Sequence, residues 1–266
     1  MFTIGIIGNG YVGKATHSII PSSYHVLIYD INPNLCYPPG TQLSDLKICN
    51  LFFICVPSPP NPDGFTDLTF VTNAINNIKS ISNAPIILRS TVPVGTSDSF
   101  GVSFWPEFLR QNTWKSDMKS CKRWILGTFD SHIYQQMSQL LSDAHRENLI
   151  EYPFITQTSP KEAELIKYGR NTFLALKVSY FNELYDFCSK LNIDFETVRA
   201  NITNDIRINS EHSFVPGPDG KRGFGGACLP KDSLSLYKQF EQLGLPSYII
   251  KAAVDRNSEL DQPNNN

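Results

Sequence analysis

The stretch TIGIIGNGYVG at residues 3–13 decides the fold class of this chain. Its apolar first half is typical of a buried strand, and residues 11–20 continue with a helical pattern. Between them, Gly8 allows a tight turn, Gly10 lets the backbone approach a pyrophosphate, and Gly13 lets the helix pack closely on the strand. A Gly-x-Gly-x-x-Gly pattern between a strand and a helix is the fingerprint of a dinucleotide-binding Rossmann domain.

An acidic residue at the end of the second predicted strand indicates which dinucleotide binds. The apolar run at residues 24–29 ends on Asp30, seventeen residues after Gly13. A carboxylate at this position hydrogen-bonds the ribose 2′-hydroxyl and repels a 2′-phosphate. The sequence therefore predicts NAD rather than NADP as the cofactor.

Short apolar strands alternate with helical segments up to about residue 155. This alternation predicts an α/β fold with a doubly wound parallel sheet. The further candidate strands lie at residues 50–56, 85–90, 102–105, 124–129 and 148–155, and the helices between them at residues 67–81 and 131–145.

The second half of the chain has a helical pattern. SPKE at residues 159–162 is typical of a capping box with proline at the first helical position, and it begins a helix that is predicted to end near residue 191. Further helices are predicted at residues 195–204, 232–243 and 247–260. We therefore predict a Rossmann domain at residues 1–155, a helical central domain at residues 156–260 and a disordered tail at residues 261–266.

A glycine-rich stretch, GFGGACLPKD at residues 223–232, combines a thiol with charged groups. If Cys228 lies just before a helix that begins at Pro230, its sulfur faces free backbone N–H groups, which favour the nucleophilic thiolate. Lys231 adds positive charge, and Asp232 is suited to order a water or handle a proton. The alternative is a structural cysteine buried beside a helix start.

Composition is that of an ordinary globular protein. The 266 residues are 41% hydrophobic and 18% charged, with a formal net charge of −2. We find no basic stripe for nucleic acid and no apolar run long enough for a membrane span. The six cysteines, at positions 36, 49, 55, 121, 188 and 228, show no metal-ligand spacing, so no metal is expected. Reduced thiols and the absence of a signal peptide predict a cytoplasmic protein.

Two further regions contain candidate site residues. Polar and proline-rich turns follow the predicted strands at residues 56–60, 90–96 and 105–110, where ligands of an open parallel sheet bind. On the long helix, Lys167 and Asn171 are four residues apart and share a face, where they could stabilise an oxyanion. The alternative for this helix is an ordinary solvated face with Glu–Lys pairs.

Taken together, these motifs resemble the UDP-glucose and GDP-mannose dehydrogenase family over nearly the whole chain. The resemblance rests on GNGYVG at residues 8–13, VP at 56–57, STVPVGT at 90–96, PEFLR at 106–110, EAELIK at 162–167 with Asn171, Arg207, and the cysteine stretch at 223–232. It implies a four-electron oxidation of a nucleotide sugar, in which Cys228 adds to a C6 aldehyde and a thioester is then hydrolysed to the uronic acid.

The resemblance also implies roles for individual residues. The catalytic set is Cys228, Lys167, Asn171, Asp232, Thr91 and Glu107, with Lys167 and Asn171 stabilising oxyanions, Asp232 and Thr91 arranging water, and Glu107 assisting hydrolysis. The NAD contacts are Gly8, Asn9, Gly10, Tyr11, Val12, Gly13, Asp30, Val56, Pro57, Thr91 and Lys231. The substrate contacts are Glu107, Phe108, Leu109, Arg110, Lys167, Asn171, Gly225 and, from the partner subunit of a homodimer, Arg207.

Two departures from the family leave alternatives open. Residues 31–49 are short and proline-rich where the family has a helix and a longer loop, and the chain is expected to lack the family's third, nucleotide-sugar-binding domain. The loop at residues 215–222 resembles the UDP-glucose branch, which makes UDP-glucose the favoured substrate over GDP-mannose or a UDP-N-acetyl sugar. A non-catalytic binding remnant and a two-electron hydroxyacid dehydrogenase are the rival functions.

Overall fold

A computed structural model describes residues 1–110 and 112–263. The chain forms two compact units, the first from residues 1–59 and 66–167 and the second from residues 60–65 and residue 168 onward. The first unit contains every strand of the sheet found in the described residues, and the second unit is built from helices.

The described residues of the first unit hold one seven-stranded sheet in the order β2-β1-β3-β4-β5-β6-β7. Strands β1 to β5 are mutually parallel, as the βαβ pattern of the sequence predicts. The strands are β1 (Thr3–Ile7), β2 (His25–Tyr29), β3 (Leu51–Ile54), β4 (Ile86–Leu88), β5 (Ser103–Phe104), β6 (Trp124–Gly127) and β7 (Ile155–Thr158). The predicted α/β Rossmann-type fold is confirmed.

The last two strands run opposite to the first five. Strand β6 pairs antiparallel with β5 through Phe104 and Gly127, and β7 is parallel to β6. The chain between β5 and β6 therefore re-enters the sheet at the same end of the strands at which β5 finishes. A parallel pair would have required a crossover to the opposite edge. The sheet is thus mixed rather than wholly parallel as the sequence analysis expected.

Helices cover both faces of the sheet, and this explains the continuous apolar character of its strands. In β3, Phe53 packs in one buried cluster with Ile4 and Ile6 of β1. Its neighbours Phe52 and Ile54 pack in a second cluster on the other face. The helices of this unit are α1 (Tyr11–His17), α2 (Thr69–Ile81), α3 (Thr96–Phe100), α4 (Trp114–Lys119) and α5 (Ser131–Arg146).

The strand predicted at residues 148–155 is wrong. Asn148 has a positive φ of 58°, and the Leu149 N–H donates to the Ala144 carbonyl, which ends helix α5. The apolar side chain of Ile150 is buried at this helix end rather than in a strand. Strand β7 begins only at Ile155, because Asn148 and Leu149 bond back to the end of α5 and Glu151 bonds the Lys119 carbonyl.

The long helix α6 (Pro160–Leu191) has the start that the sequence predicts. The Ser159 hydroxyl accepts the Glu162 N–H at 3.3 Å, and the Glu162 carboxylate accepts the Ser159 N–H at 2.7 Å, which forms the reciprocal capping box. Helices α7 (Phe195–Thr203), α8 (Leu229–Gln242) and α9 (Tyr248–Arg256) follow in the second unit. Among the described residues, no helix has both the length and the apolar character of a membrane span.

The beginning of the predicted disordered tail is ordered. Asn257–Asp261 form a π-helical turn after α9, and Asp261 and Gln262 are both buried. The Asp261 carboxylate accepts from Arg256 at 2.9 Å, and Gln262 donates to the Arg222 carbonyl at 2.9 Å. These two partners, one local and one forty residues away, hold the segment in place. Residues 264–266 of the predicted tail lie outside the described residues.

We expect Gly13→Ala to lower the free energy of unfolding by about 2–3 kcal/mol, because a Cβ at Gly13 would overlap the carbonyl oxygen of Gly8. Gly10→Ala is the matched control, since a Cβ there meets nothing within 4 Å and φ is −67°. It should cost less than about 1 kcal/mol, the scale of an N-cap change. Urea unfolding followed by circular dichroism measures both, and equal effects of the two substitutions would contradict this account of Gly13.

Candidate active site

The glycine loop between β1 and α1 has the geometry of a phosphate cradle. Gly8 has a φ of 90°, its N–H donates to the Tyr29 carbonyl, and a Cβ there would lie 2.8 Å from the Cys55 carbonyl oxygen. Gly10 is exposed with open space above it, and no side chain caps the first turn of α1. Backbone N–H groups at an uncapped helix N-terminus bind anionic phosphate, so the loop fits a dinucleotide.

The acid at the end of β2 lies against this loop. The Asp30 carboxylate accepts the Asn9 N–H at 2.7 Å and the Asn32 N–H at 2.8 Å. The Asn9 side-chain amide in turn donates to the Leu35 carbonyl at 2.7 Å. Asp30 therefore stands where the sequence places the ribose-binding acid, and it also fixes the backbone of the glycine loop.

The short proline-rich segment after Asp30 folds back along β2. Tyr37 exchanges two backbone hydrogen bonds with Ile28, and its ring packs on His17 with centroids 5.1 Å apart. The Cys36 thiol lies 3.4 Å from both the N–H and the carbonyl oxygen of Asp30. This segment therefore borders the ribose side of the predicted cofactor site.

The turns after β3 and β4 are hydrogen-bonded to each other. The Ser90 hydroxyl donates to the Val56 carbonyl at 2.6 Å, and the Ser58 hydroxyl donates to the Thr91 carbonyl at 2.6 Å. Val56, Pro57 and Thr91 of the predicted site are thereby held side by side at the carboxyl edge of the sheet. Ser58 is a positioning residue that the sequence analysis did not single out.

A buried ion pair joins the turn after β5 to the long helix. The Lys167 ammonium donates to the Glu107 carboxylate at 2.8 Å and to the Glu107 carbonyl at 2.7 Å, and both side chains are under 5% exposed. Glu107 also accepts the Leu109 N–H at 2.8 Å, and the ammonium lies 5.7 Å from the Phe108 ring centroid. Residues that the resemblance assigns to catalysis and substrate binding are thus brought together in the first unit.

The electrostatics of this pair favour its charged form. Burial opposes ionisation of Glu107, but the charge and hydrogen bond of Lys167, the Leu109 N–H and the Arg89 charge outweigh it and lower the pKa of Glu107. Arg89 is fully buried, stacks on Trp105 at 3.8 Å, and its own pKa is lowered by burial. The sequence analysis did not name Arg89. A single cation directly after the apolar strand β4 could have indicated a buried charge there.

Glu164, one turn before Lys167, supports a different part of the site. Its buried carboxylate accepts the N–H groups of Gly95 at 2.6 Å and Ser97 at 2.8 Å. Burial raises the pKa of Glu164 against the effect of these hydrogen bonds. Glu164 thereby holds the end of the turn that begins at Ser90 and the first turn of α3.

In the second unit, Cys228 is the N-cap residue of α8 and Pro230 lies in the first turn of that helix. The Cys228 carbonyl accepts the Asp232 N–H at 2.9 Å. The Asp232 side chain is buried and accepts from the Asn171 amide at 2.6 Å and from the Lys231 ammonium at 2.6 Å. Cys228, Asn171, Lys231 and Asp232 therefore form a compact cluster around the start of α8.

Two predicted substrate residues lie at the surface. Arg110 pairs with Asp117 at 2.6 Å and is 65% exposed. Arg207 pairs with Asp205 and is 84% exposed. Gly225 lies in the glycine-rich loop before Cys228. No group of three or more His, Cys, Asp or Glu side chains in the part of the chain that the structure describes could hold a metal ion.

A cleft of about 530 Å³ in the first unit lies away from all of these residues. It is lined at the edge of the sheet where β4 and β5 begin, by Pro85, Ile86, Val102 and Ser103 among others. The glycine loop and the turns after β3 and β4 lie at the opposite edge. The predicted site residues therefore do not line this cleft.

The glycine loop, the acid after β2 and the parallel strands define a dinucleotide-binding Rossmann protein with an additional helical unit. Two family models together match most of the chain: the UDP-glucose/GDP-mannose dehydrogenase family NAD binding domain at residues 40–145, and the central domain of the same family at residues 161–259. The chain belongs to the UDP-glucose/GDP-mannose dehydrogenase family, as the sequence resemblance predicted.

Individual relatives agree with this assignment. The chain is 30% identical to UDP-glucose 6-dehydrogenase YwqF of Bacillus subtilis, over 88% of this chain and 60% of that protein. It is 32% identical to UDP-glucose 6-dehydrogenase of Rickettsia bellii, over 81% of this chain and 50% of that protein. The structure of a UDP-glucose dehydrogenase from Pyrobaculum islandicum matches with a TM-score of 0.80 and 28% identity, over 96% of this chain and 67% of that one. The chain thus spans about half to two thirds of their length.

We expect Glu107→Gln to lower the free energy of unfolding by about 3–5 kcal/mol at about pH 7, because it leaves the buried Lys167 ammonium without its counter-charge. The pKa of Glu107 in the folded protein lies below its ordinary value of 4.5. The ionised Glu107 carboxylate therefore stabilises the fold above about pH 4.5, and this stabilisation is lost as the pH falls through the pKa in the folded protein. The difference between the two proteins should therefore shrink in acid. Urea titrations between about pH 7 and pH 3 measure it.

The matched control is Asp98→Asn, which removes the acidic partner of the exposed Lys161 at 3.4 Å. Surface pairs of this kind contribute less than about 1 kcal/mol. An effect of Glu107→Gln no larger than that of Asp98→Asn would show that the buried pair does not stabilise the fold.

Proposed function

We propose that this chain is an NAD-dependent nucleotide-sugar 6-dehydrogenase that oxidises UDP-glucose to UDP-glucuronate in two two-electron steps. The observation that carries the proposal is Cys228 as the N-cap residue of α8, with the Asp232–Asn171 pair in the same cluster. A dehydrogenase that stops at an aldehyde needs no nucleophile, whereas one that continues to the acid needs a covalent adduct able to release a second hydride.

The residues that would hold NAD are those of the glycine loop, Asp30 and the turns at Val56 and Thr91. The open space at Gly10 and the uncapped start of α1 suit the pyrophosphate, and Asp30 suits the ribose. Bound NAD accepts hydride, one equivalent in each oxidation step. The carboxylate of Asp30 also supports a preference for NAD over NADP, since it repels a 2′-phosphate.

Cys228 carries the covalent chemistry in this proposal. Its sulfur adds to the C6 aldehyde to form a thiohemiacetal, and loss of hydride from C6 gives a thioester and a proton. Water then attacks the thioester carbonyl, which releases the uronate and returns the thiol. The N-cap position supports this role because a helix N-terminus favours negative charge on groups beside it.

The surrounding polar residues handle oxygen charge and water. Asn171 and Lys167 are amide and ammonium donors suited to the oxyanion that develops at C6 in each addition step. By analogy with the family, Asp232 and Thr91 are assigned to arranging the attacking water and Glu107 to assisting hydrolysis. Phe108, Leu109 and Gly225 then contribute contacts to the substrate.

The choice of UDP-glucose rests on the relatives that match and on the loop at residues 215–222. The alternative substrates are GDP-mannose and UDP-N-acetyl sugars, and a non-catalytic NAD- or nucleotide-sugar-binding remnant is the alternative outside the enzymes. Retention of Cys228, Lys167, Asn171 and Asp232 together favours catalysis, because binding alone does not require the four.

We expect two NADH per UDP-glucose consumed, followed at the NADH absorbance band with the sugar quantified by chromatography. A two-electron dehydrogenase would yield one NADH and a binding module none. Cys228→Ser should abolish steady-state uronate formation, because a serine hydroxyl is a far weaker nucleophile than a thiolate. Cys121→Ser, which alters a half-buried thiol beside the Arg123 carbonyl, is the control and should keep wild-type turnover. Full turnover by Cys228→Ser would refute the covalent route.

We also propose a homodimer formed through α6. Phe173, Tyr180 and Phe187 are seven residues apart, so they lie on one side of the helix, and each is more than half exposed. Burying such a row of aromatic side chains against a second copy follows the two-fold symmetry common in soluble oligomers. In such a dimer, Arg207 would reach the substrate bound to the neighbouring subunit.

We expect Phe173→Glu combined with Tyr180→Glu to convert the dimer to monomers, because two desolvated carboxylates on each subunit would oppose association. Light scattering coupled to size-exclusion chromatography measures the mass. Phe129→Glu, which alters an exposed aromatic residue of the first unit, is the control and should leave the mass unchanged. A wild-type chain with the mass of a monomer would contradict the proposed dimer.

A further inference from the structure

The glycine-rich loop before Cys228 rests in a buried polar cradle that the mechanism above does not use. At its centre is Asn257, 6% exposed, at the start of the turn after α9. Its side-chain oxygen accepts the Phe224 N–H at 2.8 Å, and its side-chain nitrogen donates to the Phe224 carbonyl at 3.0 Å. One amide therefore satisfies both backbone polar groups of a residue four positions before Cys228.

Two neighbouring amides extend the cradle along the loop. Asn182 of α6, 1% exposed, accepts the Gly223 N–H at 3.2 Å. Gln262 donates to the Arg222 carbonyl at 2.9 Å. The backbone of residues 222–224 is thus fixed by three side chains, one from α6 and two from the turn after α9.

The close contact between the loop and the cradle explains why residue 223 is a glycine. Gly223 has a φ of 68°, and a Cβ there would overlap the Asn257 side-chain oxygen and lie 2.6 Å from the Asp261 Cβ. The backbone can approach the cradle this closely only where there is no side chain.

An ion-pair network holds the cradle itself. Arg222 pairs with Asp186 at 2.7 Å and with Asp261 at 3.1 Å. Arg256 pairs with the same two acids, at 2.6 Å and 2.9 Å. The Asp261 side chain is fully buried, so its two arginine partners compensate a charge that would otherwise be costly to bury.

We propose that Asn257 is a positioning residue for the nucleophile: by clamping Phe224, it fixes the glycine-rich loop and thereby the orientation of the Cys228 thiol. This inference rests on the proposed function for the role of the thiol, but the clamp itself is a property of the loop. Asparagine suits the task because it offers one donor and one acceptor side by side without charge. Alanine would leave the Phe224 N–H and carbonyl unpaired, and a carboxylate would face the Phe224 carbonyl without a proton to donate.

Two substitutions test the clamp, Asn257→Ala and Asn257→Asp. At about pH 8, both should lower kcat about 10- to 100-fold, the scale expected when a reacting group is misplaced by about 1 Å. The KM for NAD should stay within about threefold, because the cofactor residues of the first unit are untouched and Lys231 remains held in α8 by its bond to Asp232. Alkylation of Cys228 by iodoacetamide, quantified by peptide mass spectrometry, should become at least about threefold faster as the loop loosens and exposes the thiol.

The pH dependence of Asn257→Asp separates positioning from a general loss of structure. A protonated carboxyl group reproduces the donor and acceptor of the amide, so lowering the pH to about 5.5 should restore at least part of the slow alkylation, relative to wild type at the same pH. The charged groups around this position are Arg222, Arg256, Asp186 and Asp261, in which each arginine pairs with both acids. Asn257→Ala should show no such recovery. If Asn257→Ala fails to fold, the comparison of Asn257→Asp at the two pH values carries the test.

The matched control is Asn201→Ala, which removes an exposed helical amide of the same unit that bonds only the Thr197 carbonyl. It should match wild type in alkylation and turnover. Wild-type Cys228 alkylation and kcat in both Asn257 variants would overturn the positioning role. If the wild-type chain shows no dehydrogenase turnover, but the rate of Cys228 alkylation still changes in the Asn257 variants as described, the dehydrogenase function is refuted and the clamp stands.

Discussion

The buried ion pair between Lys167 and Glu107 is the interaction on which the loops of the first unit depend. The Lys167 side chain is only 3% exposed, so its ammonium needs partners within the protein, and Glu107 supplies two acceptors, its carboxylate and its carbonyl. By bonding the backbone as well as the carboxylate, it fixes the turn after β5 against α6. The same helix presents Glu164 to the turn after β4. Two polar side chains one turn apart thereby hold two of the loops at the carboxyl edge of the sheet.

This arrangement follows a general requirement of sites that combine a cofactor with covalent chemistry. The loops at a sheet edge are otherwise the most mobile parts of such a fold, yet reacting groups must be held within fractions of an ångström. Here the turns after β3 and β4 are fastened to each other by buried hydroxyl groups, Ser58 to Thr91 and Ser90 to Val56. In the second unit, the Asn257 amide fastens the glycine-rich loop at Phe224. Buried hydrogen bonds of this kind are strong because an unmade bond leaves a polar group without water.

The sequence predicted most of the fold because its signals are local. The glycine fingerprint, the strands up to Phe104 and the capping box at Ser159 each depend on neighbouring residues. The direction of β6 depends instead on the end of the sheet at which the chain re-enters, and the pattern of apolar residues carries no information on that choice. Ile150 shows the ambiguity directly, since a buried side chain at a helix end looks the same in sequence as one in a strand.

The candidate site could be predicted in part for the same reason. Residues that stand in motifs, such as Cys228 and Asp232, could be named from the sequence, and both lie at the start of α8, while their chemical roles stay predictions. Residues that act through distant partners were not named: Arg89, Ser58 and Asn257 contact residues that lie 16 to 33 positions away in the sequence. Asn257 in particular lies on an ordinary helical pattern, and only the folded chain reveals that its amide faces the Phe224 backbone.

Asp30 carries a consequence for attempts to redesign the cofactor preference of this fold. Its carboxylate is both the group that faces the ribose in the proposed complex and the acceptor for the Asn9 N–H inside the glycine loop. Removing the negative charge to admit a phosphorylated ribose would therefore also withdraw support from the pyrophosphate turn. The preference for NAD and the geometry of the glycine loop thus depend on one side chain. A successful exchange of cofactor would need a replacement acceptor for the Asn9 N–H as well as a new cation for the phosphate.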